Sequence, residues 1–148
     1  MAVTLDNLTA MSQPELDDLF RQSPMGEIPD GDASGTAIVA AGTPIEGPVL
    51  WLARWLAWQG KVFDRPGATL LNKVGPLGWH LIRARVYIAP SWFDSKPAII
   101  LDYSKTSLLA HKVRDEIREV SPGLFLGIVY YGELKTINFV LQFANATR

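Results

Sequence analysis

The chain has 148 residues, of which 48% are hydrophobic, 10% aromatic and 20% charged, and its net charge is −1. That length fits one compact domain over residues 1–148, and the composition excludes a disordered or collagen-like chain. Cysteine is absent, which excludes disulfide scaffolds, thiolate metal sites and cysteine nucleophiles.

The near-neutral total conceals an asymmetry. Residues 1–60 hold eight acids and two bases, whereas residues 61–148 hold seven acids and twelve bases. An acidic N-terminal layer of helices and loops, over about 1–60, is therefore expected beside a basic sheet over about 61–148. The bases are scattered singly, as at Arg83, Arg85, Arg114 and Arg118, so nucleic acid is not an expected partner. The N-terminus MAVTLDNLTA lacks a basic region followed by an apolar stretch, which predicts no signal peptide and a cytoplasmic location. Val49–Trp58 is the most apolar segment, but it carries Arg54 and is far shorter than the roughly 20 residues of a spanning helix. No stable membrane insertion is expected.

In chain order, Ser12-Gln13-Pro14-Glu15 has capping-box spacing, and Leu16, Leu19 and Phe20 follow at helical intervals, predicting a helix over about 13–22. Residues 23–35 are rich in Gly, Pro and acids and read as a loop able to lie across a barrel mouth. A short strand is expected at 36–39. Thr43-Pro44-Ile45-Glu46 repeats the capping-box pattern and opens a second helix running to Gln59, on which Trp51, Trp55 and Trp58 share one apolar stripe. From Gly60 onward the period changes to two. Strands are predicted at about 61–64, 69–74, 80–89, 98–103, 113–120, 123–131 and 136–144, separated by Gly- and Pro-containing turns. Links this short exclude helical crossovers, so the fold expected is α+β and mostly β: an antiparallel sheet that curls or closes into a β-barrel, with two N-terminal helices packed on it.

Chemistry is sought where polar residues interrupt apolar strands. Asp102 ends the apolar run 98–101, and such a carboxylate is either an acid/base group or half of a buried ion pair. In 113–120, Asp115 shares a parity with Ile117, whereas Glu116 and Arg118 read as a solvated row. Asp102 and Asp115, if they meet, form an acid–base pair. Tyr103 is a candidate orienting or proton-transfer group, although its neighbour Asp102 should point the other way. Arg85 is read either on an exterior face or in a lumen beside Asp102. Asn138 becomes a substrate-orienting amide if its row faces a cavity. Trp92 is a candidate pocket wall. His80 and His111 are the two histidines and lie far apart in sequence, so no metal and no cofactor are expected.

Trp58-Gln59-Gly60-Lys61-Val62-Phe63-Asp64 resembles the Trp-x-Gly-Lys-x-Phe segment of the bacterial GXWXG-type domains. Ile100–Tyr103, Asp115–Val120 and Gly123–Gly127 are similar to the strands that follow in that family. The G-x-W-x-G motif itself is absent, and Gly26–Gly31 stands in its place without a tryptophan. The resemblance implies a lipocalin-like barrel with a small-molecule pocket, and it carries over Trp58, Gly60, Lys61, Phe63, Asp64 and Asp102 as matched positions; Trp58, Lys61 and Phe63 are the substrate-binding candidates.

These features point to a barrel that binds a small apolar molecule and transforms it without a cofactor, as a lyase, isomerase or cyclase. Asp102, Asp115 and Tyr103 are the catalytic candidates; Trp58, Lys61, Phe63, Arg85, Trp92 and Asn138 are the substrate-binding ones. A non-catalytic carrier or sensor is the alternative, and a third reading places the apolar strands in a homodimer interface.

Overall fold

The computed structural model describes residues 3–38, 58–108 and 110–144. Two short helices, α1 (Leu5–Thr9) and α2 (Gln13–Gln22), precede eight strands: β1 (Gly31–Ile38), β2 (Gly60–Asp64), β3 (Thr69–Val74), β4 (Trp79–Pro90), β5 (Pro97–Asp102), β6 (Val113–Ser121), β7 (Leu124–Tyr131) and β8 (Leu134–Phe143). Each strand pairs antiparallel with the next, and β8 pairs with β1, closing the barrel. Closure leaves no free sheet edge. The expected α+β, mostly β barrel is therefore what the chain forms.

The seven strands predicted after residue 60 all form, with ends displaced by a residue or two. α2 begins where its capping box placed it, Ser12 Oγ accepting from Glu15 N while Glu15 Oε1 accepts from Ser12 N at 3.1 Å. Three expectations need correction. α1 was not foreseen; it is a single turn held by a Thr4/Asn7 box. Residues 31–35, read as loop, are the first half of β1. They lack strand propensity, yet pairing on both sides, to β2 and β8, supplies their backbone partners. Of the helix predicted over 44–59, the part bearing Trp51 and Trp55 lies outside the described residues. Gln59 itself is already in sheet-like pairing, its N–H donating to Lys73 O and its carbonyl accepting from Gly35 N, both at 2.9 Å. Gly60, expected to end that helix, opens β2 at φ 139°, where a Cβ would meet Ala33 O at 2.1 Å.

The core has two layers. Inside the barrel lie Phe63, Leu70, Val86, Ile99, Leu101, Ile117, Phe125, Phe139 and Phe143, among others. On the outside of β7, β8 and β1, Leu8 of α1 and Leu16 and Phe20 of α2 bury Leu124, Leu126, Ile128, Val140 and Ile38. Residues 23–30 cross one end of the barrel, with Met25 and Ile28 packed on the interior cluster and Arg65 donating to Ile28 O at 2.7 Å. That end is filled by Phe63, Phe125 and Phe143, whose rings pack at 5.7 Å. The opposite end is bounded by the turn 75–78, the segment 103–112 and the turn 132–133. Among the described residues no helix is long and apolar enough to cross a membrane.

Candidate functional site

Four polar side chains meet inside the barrel, each on an otherwise apolar inward row. Cross-strand register explains the meeting: Lys61 faces Asn72, Leu101 faces Asp115, and Tyr103 follows Leu101 by two on the same side. Lys61 Nζ donates to Asn72 Oδ1 and to Tyr103 Oη, each at 2.7 Å, and lies 3.3 Å from Asp115 Oδ2. Asn72 Nδ2 donates to Tyr103 Oη at 2.8 Å and to Ile82 O at 2.9 Å. Tyr103 Oη donates to Asp115 Oδ2 at 3.5 Å. Trp58 Nε1 donates to Asn72 Oδ1 at 3.0 Å.

Local backbone irregularity serves this arrangement. A bulge between β3 and β4 falls between Leu71 and Asn72, and Ile82 takes φ 58°, an unusual conformation for a β-branched residue. The result turns the Ile82 carbonyl toward the Asn72 amide. Gly35 leaves room for the Trp58 ring, since a Cβ there would lie 2.3 Å from it.

The cluster adjoins a cavity of about 100 Å³ lined by Trp58, Lys61, Asn72, Tyr103 and Asp115 together with Val74, Ile82, Val113, Val129, Ile137 and Phe139. All four polar residues of the cluster are buried. Burial pushes the Asp115 carboxyl above the usual carboxylate range, against the pull of the Lys61 ammonium. Burial likewise pushes the Tyr103 phenol up, so it stays protonated. For Lys61, burial disfavours the charge, but Tyr103 and Asp115 outweigh it and the ammonium is held above its ordinary value. The cation also sits 5.3 Å from the Trp58 and Tyr103 ring centroids and 5.4 Å from that of Phe139. Asp115 Oδ1 is buried without a hydrogen-bond partner.

The other sequence candidates are placed elsewhere. Asp102 is opposite Arg114 and Arg85 in register, on the outer face, and never meets Asp115. It accepts from Tyr87 Oη and from Ser104 N, each at 2.9 Å. Burial works to raise its pKa, but Ser104, Tyr87 and Arg114 outweigh it and hold the carboxyl below its usual value. The lumenal placement weighed for Arg85 is corrected: its register with Asp102 holds, but on the exposed outside. Asn138 is also outside the barrel, beneath α2, where it accepts from Gln13 Nε2 and donates to Gly127 O. Trp92 is an outer-face residue, half exposed, with Arg114 4.2 Å from its ring and Tyr130 edge-on to it. Phe63 points inward, but into the aromatic packing of the opposite end.

The row of Glu116 and Arg118 is not solvated as expected; both side chains are buried beneath α2 and the loop 91–96. Glu116 accepts from Ser91 Oγ at 2.5 Å, from Trp92 N at 2.8 Å and from Arg114. Arg118 forms a two-pronged bond to Asp94, at 2.6 and 2.7 Å, and donates to the carbonyls of Phe20, Lys96 and Pro97. These groups bind loop and helix to the barrel wall.

Asn72 was missed by sequence reasoning, although its signal was available: it interrupts the inward row Leu70–Asn72–Val74 as a lone polar residue. Among the described residues no group of three or more His, Asp or Glu side chains could hold a metal ion.

No family model and no curated protein matches the chain. Its fold is similar to that of a protein from Thermomonospora curvata known from its crystal structure, with a TM-score of 0.62 and 17% sequence identity over 89% of this chain and 87% of that one.

Proposed function

We propose that the barrel binds a small, mainly apolar molecule in the cavity beside Lys61 and Asp115, and that Asp115 exchanges a proton with it. The observation that carries this reading is the buried Lys61–Asn72–Tyr103–Asp115 cluster on an otherwise apolar pocket. Concave apolar sites with a few convergent polar groups are the usual form of small-molecule sites, and ionisable groups perturbed by burial concentrate at them. Asp115 is the proton acceptor because burial strengthens its basicity and one of its oxygens is unengaged. Tyr103 and Asn72 orient the carboxylate and the ammonium; Lys61 offsets the negative charge. A proton taken from one position of the ligand and returned to another is an isomerisation, and it needs no further reactant. Kinship with the GXWXG-type domains belongs to the same proposal, with Trp58 and Lys61 as matched positions that line the pocket.

Native mass spectrometry of freshly purified protein tests the binding. The expected result is an adduct of a small molecule that is lost in Val129→Phe, which fills the cavity from the strand facing Asp115. An adduct equally abundant in that variant places the ligand elsewhere. Once the molecule is identified, Asp115→Asn separates catalyst from carrier: turnover lost with binding retained is the catalytic outcome, and unchanged turnover rejects the role of Asp115.

A further inference from the structure

The protons available at the pocket floor are already committed. The Lys61 ammonium donates to Asn72 Oδ1 and Tyr103 Oη, each at 2.7 Å, and its remaining charge is paired with Asp115 Oδ2 at 3.3 Å. Asn72 gives one amide proton to Ile82 O and the other to Tyr103 Oη. The indole proton of Trp58 goes to Asn72 Oδ1. Tyr103 Oη accepts twice and turns its own proton to Asp115 Oδ2. What the cluster has left to offer is an acceptor, Asp115 Oδ1, buried and unpartnered. The surrounding walls, including Val74, Val113, Val129, Ile137 and Phe139, are apolar.

We propose that the pocket selects a compact neutral alcohol or phenol, whose hydroxyl donates to Asp115 Oδ1 while its hydrocarbon body occupies the apolar walls. This rests on the reading that the barrel binds a small molecule, and it specifies the polar group of that molecule. A ketone or ether of the same shape brings a second acceptor toward a carboxylate oxygen and finds no free donor among the described residues of the cluster. Sites built around a hydroxyl reject analogues that lack it because the buried partner is left unpaired. A carboxylate ligand would add a negative charge to a Lys61–Asp115 pair that is already neutral, and an amine would add a positive one; both carry the cost of burying an uncompensated charge. Size acts in the same direction. An apolar cavity of about 150 Å³ accommodates benzene, so a space of about 100 Å³ favours a body no larger than a single small ring.

Cyclopentanol and cyclopentanone are the probes, titrated separately into the wild-type protein. Binding is followed by NMR through the Trp58 indole N–H and the methyl signals of Val113 and Val129. The expected result is that the alcohol binds about tenfold or more tightly than the ketone, as a hydrogen bond to a charged acceptor implies. Equal affinity, or a preference for the ketone, overturns the proposal while leaving a pocket for small molecules in place. Equal affinity is also the result expected if water satisfies Oδ1. Failure of both probes to shift these signals overturns the proposal together with the reading it rests on. In Asp115→Asn the alcohol preference should fall to threefold or less, since the amide presents a donor as well as an acceptor; a preference retained in full assigns the selectivity to another group. The wild-type comparison decides the question even if that variant does not fold.

Discussion

Burial holds the proton on Tyr103 against the pull of Lys61, while Tyr103 and Asp115 hold the proton on Lys61 against burial, and this coupling has a consequence at alkaline pH. Both groups hold their protons more tightly in the folded chain than their ordinary values of 10.5 and 10.0 imply. Above pH 10 the unfolded chain therefore loses protons that the native one retains, and stability falls until the native groups titrate as well. Below pH 10 this contribution is fully present. Thermal melts should show a melting temperature declining above pH 10, and Tyr103→Phe should make that decline shallower; an identical slope in the variant rejects the coupling. Asp115 acts at the other end of the scale. Its raised value means that the native chain binds a proton more readily than the unfolded one, so the cost of its buried charge is relieved in acid. Gly127 is a residue-scale constraint of a different kind. A Cβ there would lie 2.2 Å from the Phe139 ring, which is buried and packed edge-on against Trp58 at 5.7 Å. Gly127→Ala should cost about 1–3 kcal/mol by overpacking, measured by denaturant unfolding.

At the scale of elements, α2 and the loop 91–96 are fixed to the barrel by charge rather than by area alone. Arg118 satisfies Asp94 with two bonds and accepts nothing itself, while another of its partners, Phe20 O, is a carbonyl in the last turn of α2. The guanidinium also stacks 4.4 Å from the centre of the Phe20 ring. Replacing it with Met keeps the stem but strands Asp94, and should cost about 3–5 kcal/mol, as loss of one member of a buried pair does. The Arg118 bonds, acting against burial and aided by the backbone N–H of Lys96, hold the Asp94 carboxyl below its ordinary value of 3.8. Its contribution is thus present above about pH 3.8 and lost as pH falls through the lower native value. Acid unfolding of Asp94→Asn should accordingly depend less on pH than that of the wild type. β6 shows why this clamp was not legible in advance. Val113, Asp115 and Ile117 face inward, and Arg114, Glu116 and Arg118 face outward; on sequence grounds the outward row was assigned to solvent. A sheet face bearing alternate charges is ordinarily solvated, and nothing local to β6 announces that α2 and a loop from β4 to β5 will cover it.

At the scale of the whole molecule, the charge asymmetry of the sequence is partly consumed inside the chain. Asp17 pairs with Lys135 at 3.1 Å, Asp32 with Lys73 at 2.5 Å, and Asp30 accepts from the backbone of Arg65. N-terminal acids thus meet bases of the later strands, Asp32 from within the barrel itself. Pairs of this kind are worth about 0–1 kcal/mol each. Lys135→Ala should change stability by no more than that, a shift of a few degrees in melting temperature. Ligand binding is expected to be the larger effect. A molecule held only by the native barrel stabilises it by about 2.7 kcal/mol at a hundred times its dissociation constant. A thermal-shift series with small alcohols should therefore raise the melting temperature progressively, and Val129→Phe should abolish the rise.

By itself the sequence determined the number and limits of the later strands, their antiparallel connection, the start of α2 and the absence of thiol chemistry, because period, capping and turn signals act over a few residues. It also brought Tyr103 and Asp115 into view one at a time, as polar residues in apolar strands, and Lys61 through the resemblance of its segment to the GXWXG-type domains. Only the tertiary structure decided that these three meet with Asn72, while Asp102, Arg85 and Asn138 stand outside the barrel. The reason is geometric. Side chains alternate across a strand, but which parity faces inward is set by register and closure. Where α2 covers the outer face both parities are apolar, as in β7, and alternation loses its power to tell inside from outside. A cluster drawn from β2, β3, β6 and the end of β5 exists only once four register choices have been made together.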